Sequence, residues 1–133
     1  MEKSLILIKP DAVERNLIGS IIAIYEQNGL KVTRLRMLTA ERHRAIEHYH
    51  EHLGRPYFDK LIAYITRSPL VAIELQGMDV IARVRHINGC TDPSKAEPDT
   101  IRGRFGINSS ENTVHASDSR VSAEREIAIW FGM

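Results

Sequence analysis

The sequence predicts an α+β fold: a ferredoxin-like four-stranded antiparallel sheet covered by helices, with a long loop before the last strand. Short continuous apolar runs of strand length alternate with amphipathic stretches of helix length, and 133 residues leave room for one sheet with its helices. The third observation is composition. With 43% hydrophobic and 26% charged residues the chain reads as an ordinary globular domain, able to bury roughly two thirds of the surface its unfolded form exposes. A single domain over residues 1–133 is expected, without internal repeat or linker.

Ser4 to Ile8 is an apolar run closed by Lys9-Pro10, as in a strand buried on both faces that hands its end to a loop. From Asp11 to Asn28, Val13, Leu17, Ile21 and Ile24 recur at helical spacing, and Gly29 stops the helix. Lys31 to Leu38 mixes β-branched and aliphatic residues with alternating Arg, the pattern of a half-buried strand. Thr39 then caps a second helix through about His52, and Pro56 opens a third over Tyr57 to Thr66. Leu70 to Leu75 is another strand, followed by a helix from Met78 to Asn88 that ends at Gly89. The periodicity then lapses from Gly89 to Asp99, a proline-interrupted connection of the kind a compact domain keeps for function. A strand at Thr113 to Ala116 and a helix from Ser119 to Phe131, with Ala123, Ile127 and Trp130 on one stripe, complete the order β-α-β-α-α-β-α-loop-β-α.

Charge and cysteine content narrow the class. Eighteen basic against seventeen acidic residues give a net charge of +1, too balanced for a protein held to nucleic acid by its backbone charge. Thirteen of the eighteen cations are Arg, whose planar fork suits phosphate and carboxylate oxygens. The single Cys90 excludes an internal disulfide. No apolar run is long enough to span a bilayer, and Met1 to Pro10 lacks a basic segment and a cleavage site, so a cytoplasmic protein without membrane contact is expected.

The phosphate loop Gly-x-x-x-x-Gly-Lys and the dinucleotide fingerprint Gly-x-Gly-x-x-Gly are both absent, and one cysteine with scattered histidines offers no zinc ligand set. Four of the six histidines, His43, His48, His50 and His52, fall in the second helix and its exit, where solvated helix polarity is expected; His86, beside Arg85, is expected at the surface. His115 differs. Small Ala116 leaves space beside its ring for a phosphate, and Glu126 on the following helix can reach back to one ring nitrogen, leaving the other as a nucleophile. Taken alone, the segment also suits a turn followed by a helix cap. A non-catalytic module binding nucleotide or nucleic acid, and a histidine phosphocarrier fed by a protein partner, stay open on these residues.

Asn112-x-x-His115-Ala116-Ser117-Asp118 resembles the active-site signature of nucleoside diphosphate kinases, and the resemblance runs the length of the chain. Ile8-Lys9-Pro10-Asp11 is similar to the family's first-strand exit and Arg55-Pro56-Tyr57-Phe58 to its base-binding turn. Thr91-Asp92-Pro93 with Thr100-Ile101-Arg102-Gly103 resembles its phosphate-binding loop, and Ser122-Ala123-x-x-Glu126-Ile127 its closing helix. The resemblance implies ping-pong transfer of the γ-phosphoryl group from a nucleoside triphosphate, mainly ATP, to a nucleoside diphosphate through a phosphohistidine at His115. It implies that Glu126 and Ser117 hold the His115 ring, and that Tyr49 helps place His115 and the transferred group. Lys9 and Asn112 would contact the ribose hydroxyls and the phosphate end. Arg85, Thr91 and Arg102 would grip the phosphates, with His52 as a further contact. Tyr57, often Phe in the family, would stack on the base with Leu61 beneath it, and such a platform reads no base edge, so a broad base and sugar range is implied.

Mg²⁺ would arrive on the nucleotide phosphates rather than on protein ligands, so no dedicated metal site is expected. A homo-oligomer, tetramer or hexamer, is implied, and no specific nucleic acid. Two positions depart from the pattern: Arg104 stands where the family commonly has an acidic residue, and Asp99 replaces a usual Gly. The first adds positive field beside the phosphate grip; the second restricts a backbone angle.

Overall fold

The computed structural model describes residues 2–109 and 111–132. Its sheet consists of β1 (Glu2–Ile8), β2 (Lys31–Leu38), β3 (Leu70–Gly77) and β4 (Val114–Ala116), in spatial order β2-β3-β1-β4 with every neighbouring pair antiparallel. The two long apolar runs became the two central strands, because only there is a strand covered on both faces. In β1, Leu5, Ile6, Leu7 and Ile8 are all fully buried, and β3 matches them from Leu70 to Leu75.

The helices are α1 (Pro10–Glu14), α2 (Ile18–Gln27), α3 (Arg42–His48), α4 (Phe58–Thr66), α5 (Val80–Asn88), α6 (Ile101–Phe105) and α7 (Arg120–Phe131). Successive strand residues point to opposite faces, so β1 feeds two cores. Ile6 and Ile8 pack with Val71 and Ile73 against Ile21 and Tyr25 of α2 and Val80 and Val84 of α5. Leu5 and Leu7 pack with Leu70 and Ala72 against Ala45 of α3, Phe58, Ile62 and Ile65 of α4, and Ile127 and Trp130 of α7. No helix among the described residues is long and apolar enough to cross a membrane.

Several boundaries differ from expectation. The helix expected over Asp11 to Asn28 is broken into α1 and α2 at Asn16, whose φ is +62°. Asn tolerates the left-handed region, and the Asn16 and Leu17 amides close back on the Val13 and Ala12 carbonyls. Val13 and Leu17 still pack on the core on either side of the break, so apolar periodicity could not reveal it. The second helix is shorter than its expected Thr39 to His52 span: α3 starts at Arg42, and its continuation is a 3-10 turn at His50–His52. The segment Gly89 to Asp99, expected to be structureless, contains a 3-10 turn at Pro93–Lys95 whose Ser94 amide is capped by Asp92. Helix α6 was not expected at all. Thr100 caps it by accepting from the Gly103 amide, and at five residues it is too short to show a period.

Two glycines fix how this loop packs. Gly89 ends α5 at φ +86°, and a Cβ there would collide with the Thr100 side chain; a Cβ on Gly103 would overlap the Glu97 carbonyl. The phosphate-loop candidate is thus clamped on itself. Asp99, by contrast, is not among the positive-φ residues, so the family's Gly is not required at that position.

Candidate active site

The C-terminal end of β1 and the short β4 meet the ends of α3, α5 and α7 around a cleft of about 900 Å³. Lys9, Tyr49, His52, Tyr57, Leu61, Arg85, Thr91, Arg102, Asn112, His115 and Glu126 all line it. Ser117 lies behind them, fully buried. Residues as far apart in the sequence as Lys9 and Glu126 are therefore brought to one cleft.

His115 sits in the middle of β4, opposite Leu7 of β1. The turn before it is tight: the Val114 amide donates to the Asn112 carbonyl at 2.9 Å, with Thr113 between them at φ +80°. A β-branched residue in that region is strained, and the Lys9 amide holds it by donating to the Thr113 carbonyl at 2.9 Å. Behind the ring, His115 Nε2 lies 2.8 Å from Glu126 Oε1, and Ser117 Oγ donates to the same oxygen at 2.8 Å while accepting from the Leu5 amide at 3.0 Å. The buried carboxylate accepts, so the ring proton sits on Nε2 and Nδ1 keeps its lone pair. Arg125 stands 3.7 Å from the other Glu126 oxygen and donates to the Glu47 carbonyl, tying α7 to the end of α3.

The cationic side of the cleft is built on buried groups. Lys9 is 7% exposed, and its ammonium donates to Asn112 Oδ1 at 2.9 Å. Burial, reinforced by the Arg102 charge and opposed by Asp11, pulls its pKa down to about 8. The Asn112 amide nitrogen donates to the Thr91 and Ser109 carbonyls, so this side chain stitches the end of β1 to both flanking loops. Arg102 donates from its two terminal nitrogens to the Gly89 and Val114 carbonyls at 2.7 and 2.8 Å, and burial lowers its pKa. It therefore locks the phosphate-loop candidate onto β4 as well as adding charge. Arg85 is exposed on α5. Arg104 is exposed with its guanidinium 4.9 Å over the Phe105 ring, and neither it nor Asp99 lines the cleft.

His48 corrects the sequence reading. It was expected on a solvated face, yet it is 4% exposed and lines the cleft, with its ring centroid 4.5 Å from that of His115. Its Nδ1 accepts from Trp130 Nε1 at 3.0 Å, which places its own proton on Nε2. Burial first, then the neighbouring His115, Arg125, Lys9 and His52, pushes its pKa well below the ordinary range, so it stays neutral. A sequence signal existed: Ala45, His48, Tyr49 and His52 fall at helical spacing, and Ala45, His48 and Tyr49 are buried. Tyr49 is buried with its hydroxyl unpartnered, and burial together with the Glu126 charge raises its pKa.

Among the described residues, only His48, His115 and Glu126 bring three ligating side chains together, with ligand atoms within 4.8 Å. Two of the three are already engaged: Trp130 occupies His48 Nδ1, and His115 and Ser117 share Glu126 Oε1. Two imidazoles also make a poor site for a hard cation such as Mg²⁺.

Comparison with known proteins agrees with this geometry. The family profile described as nucleoside diphosphate kinase matches residues 2–133. A nucleoside diphosphate kinase of Clostridium perfringens is 56% identical over 98% of this chain and 92% of its own length, and one of Pelotomaculum thermopropionicum is 47% identical over 98% and 88%. Among solved structures, the Aquifex aeolicus enzyme superposes with a TM-score of 0.94 at 40% identity, covering 98% of this chain and 94% of that one. The Halobacterium salinarum enzyme, solved in complex with CDP, superposes with a TM-score of 0.96 at 39% identity, covering 99% and 88%. A cleft that gathers a carboxylate-held histidine and buried cations, on a chain related over nearly its whole length to these phosphotransferases, places the chain in the nucleoside diphosphate kinase family.

Proposed function

We propose that His115 carries the phosphoryl group in a ping-pong exchange between nucleoside triphosphates and diphosphates, within a single domain spanning residues 1–133. The observation that supports this reading best is the 2.8 Å contact between His115 Nε2 and the buried Glu126, which leaves Nδ1 as the nucleophile. The Nδ1 lone pair attacks the γ-phosphorus. An N–P bond forms as the bond to the β–γ bridging oxygen breaks, and the diphosphate leaves with that electron pair. The positive charge gained by the ring is met by Glu126, so no proton has to move. A terminal oxygen of a second diphosphate then attacks the phosphorus and returns the electron pair to Nδ1.

The rest of the cleft acts by positioning and charge. Lys9, Arg85 and Arg102 face the charge on the transferring oxygens, and Thr91 and Asn112 shape the phosphate end. Tyr49 borders the transferred group, and Tyr57 with Leu61 supplies the platform for the base. Mg²⁺ carried on the nucleotide would neutralise part of the phosphate charge; the imidazole-rich His48, His115 and Glu126 cluster does not suit it, so no side chain is assigned to hold it. We place the protein in the cytoplasm and infer a homo-oligomer, tetramer or hexamer. The edge strand β2, with Leu35 and Met37 each about half exposed, supports association; light scattering on the purified protein reads the subunit number, and a monomer would overturn it.

The direct test is intact mass after brief incubation with MgATP and desalting. A gain of one phosphoryl group, removed by a different nucleoside diphosphate, is expected; a folded protein that gains none refutes the reading. A second expected outcome concerns pH. Phosphate oxygens beside Lys9 favour its charged form and raise its pKa on binding, so nucleotide binds with proton uptake above pH 8. Affinity is therefore full below about pH 8 and falls as pH rises past it, well before an ordinary lysine would titrate. Titration calorimetry with ADP from pH 7 to 10 measures this, and Lys9→Met should flatten the decline.

A further inference from the structure

The ring expected beneath the base carries a hydroxyl with a partner. Tyr57, immediately before α4, is 48% exposed, and its hydroxyl lies 2.7 Å from His52 Nδ1, with ring centroids 5.6 Å apart. His52 is itself braced: its ring lies 5.9 Å from that of buried Tyr49, and its amide donates to the Tyr49 carbonyl at 2.8 Å. The Arg55 amide returns to the His52 carbonyl at 3.0 Å, bending the chain back toward Tyr57. A continuous run of rings thus leads from the core through Tyr49 and His52 to the exposed Tyr57. The phenol is the natural donor and the imidazole nitrogen the acceptor, which leaves the His52 proton on Nε2. An exposed aromatic side chain otherwise loses rotamer freedom when a ligand stacks on it, and phenylalanine at position 57 could not be held this way.

We propose that His52 is a positioning residue for the nucleobase: its Nδ1 grips the Tyr57 hydroxyl and holds the stacking ring in place before the nucleotide arrives. This rests on the reading of Tyr57 as the base platform, and it gives His52 a role other than the phosphate contact expected from the sequence. The action is on the base and not on the reacting phosphate, so ligands without a base do not feel it.

A double-mutant cycle tests this by equilibrium binding of ADP and of inorganic tripolyphosphate to the full chain. Tyr57→Phe and His52→Leu should each weaken ADP about threefold, the size of a partly solvated neutral hydrogen bond, and the double variant should be no weaker than either single. Tripolyphosphate affinity should be unchanged throughout. His52→Asn, which offers an acceptor near the place of Nδ1, should keep most of the ADP affinity. Losses that multiply in the double variant, an unchanged ADP affinity in Tyr57→Phe, or an equal loss of tripolyphosphate in His52→Leu would each overturn the proposal. Tyr57→Ala separates the two levels. If it leaves ADP affinity intact, the base platform itself is wrong; if it weakens ADP while Tyr57→Phe does not, only the role of His52 falls.

Discussion

Replacing His115 with alanine is expected to abolish the phosphoenzyme and steady-state transfer while ADP binding stays within a few-fold of the parent. The reasoning is positional. The His115 side chain is 21% exposed, at the inner wall of the cleft, whereas Lys9, Arg85 and Arg102, proposed to meet the phosphate charge, and Tyr57 and Leu61, proposed to hold the base, line the cleft independently of it. Removing the ring deletes the one protein atom in the scheme that forms a bond to phosphorus, without touching these contacts. Glu126 keeps the Ser117 hydroxyl as a donor, so the buried carboxylate is not stranded. Mass spectrometry after MgATP, a coupled transfer assay and calorimetry with ADP read the three quantities separately. Retained turnover in the variant would overturn the assignment, and a matching collapse of ADP affinity would place His115 in binding instead of chemistry.

Glu126→Gln is the second large effect, expected to slow phosphorylation of His115 by about two to four orders of magnitude with little change in nucleotide affinity. Glutamine has nearly the same shape, so packing of α7 against β1 survives. It differs in two ways that matter at 2.8 Å from Nε2. It carries no charge to balance the phosphorylated ring, and its amide can donate to Nε2, moving the ring proton to Nδ1 where the lone pair is needed. A single-turnover measurement with excess ATP reads the step directly. A rate within twofold of the parent would show that Glu126 only packs against the ring.

Much of this site could be read from the sequence because its residues are bound to local signals. His115 stood out through small Ala116 beside it and Glu126 within reach on the following helix; that helix is capped by Ser119, whose Oγ accepts from the Ser122 amide. The strand runs of β1 and β3 were legible because strands covered on both faces leave continuous apolar stretches. His48 was misread because charge and polarity of single residues do not reveal which face of a short helix is buried. Helix α6 escaped because a single turn held by the Thr100 cap and by two glycines without room for a side chain has no periodic signature.

By itself, the sequence determined the order of the strands and of the longer helices between them, the apolar runs that become the central strands, and the residue types able to hold a nucleophile, grip phosphate and stack on a base. These follow from local chemistry and from periodicities of two and 3.6 residues. Only the tertiary structure decided which nitrogen of His115 is free, that Trp130 fixes the tautomer of His48, that Lys9 is buried enough to titrate near pH 8, and that His52 meets Tyr57. Each of those depends on distance, direction and exclusion of water between segments that the chain order keeps apart or leaves unoriented. Burial and hydrogen-bond geometry set tautomers and pKa values, and both exist only once the sheet has brought β1, β4 and the helix ends together.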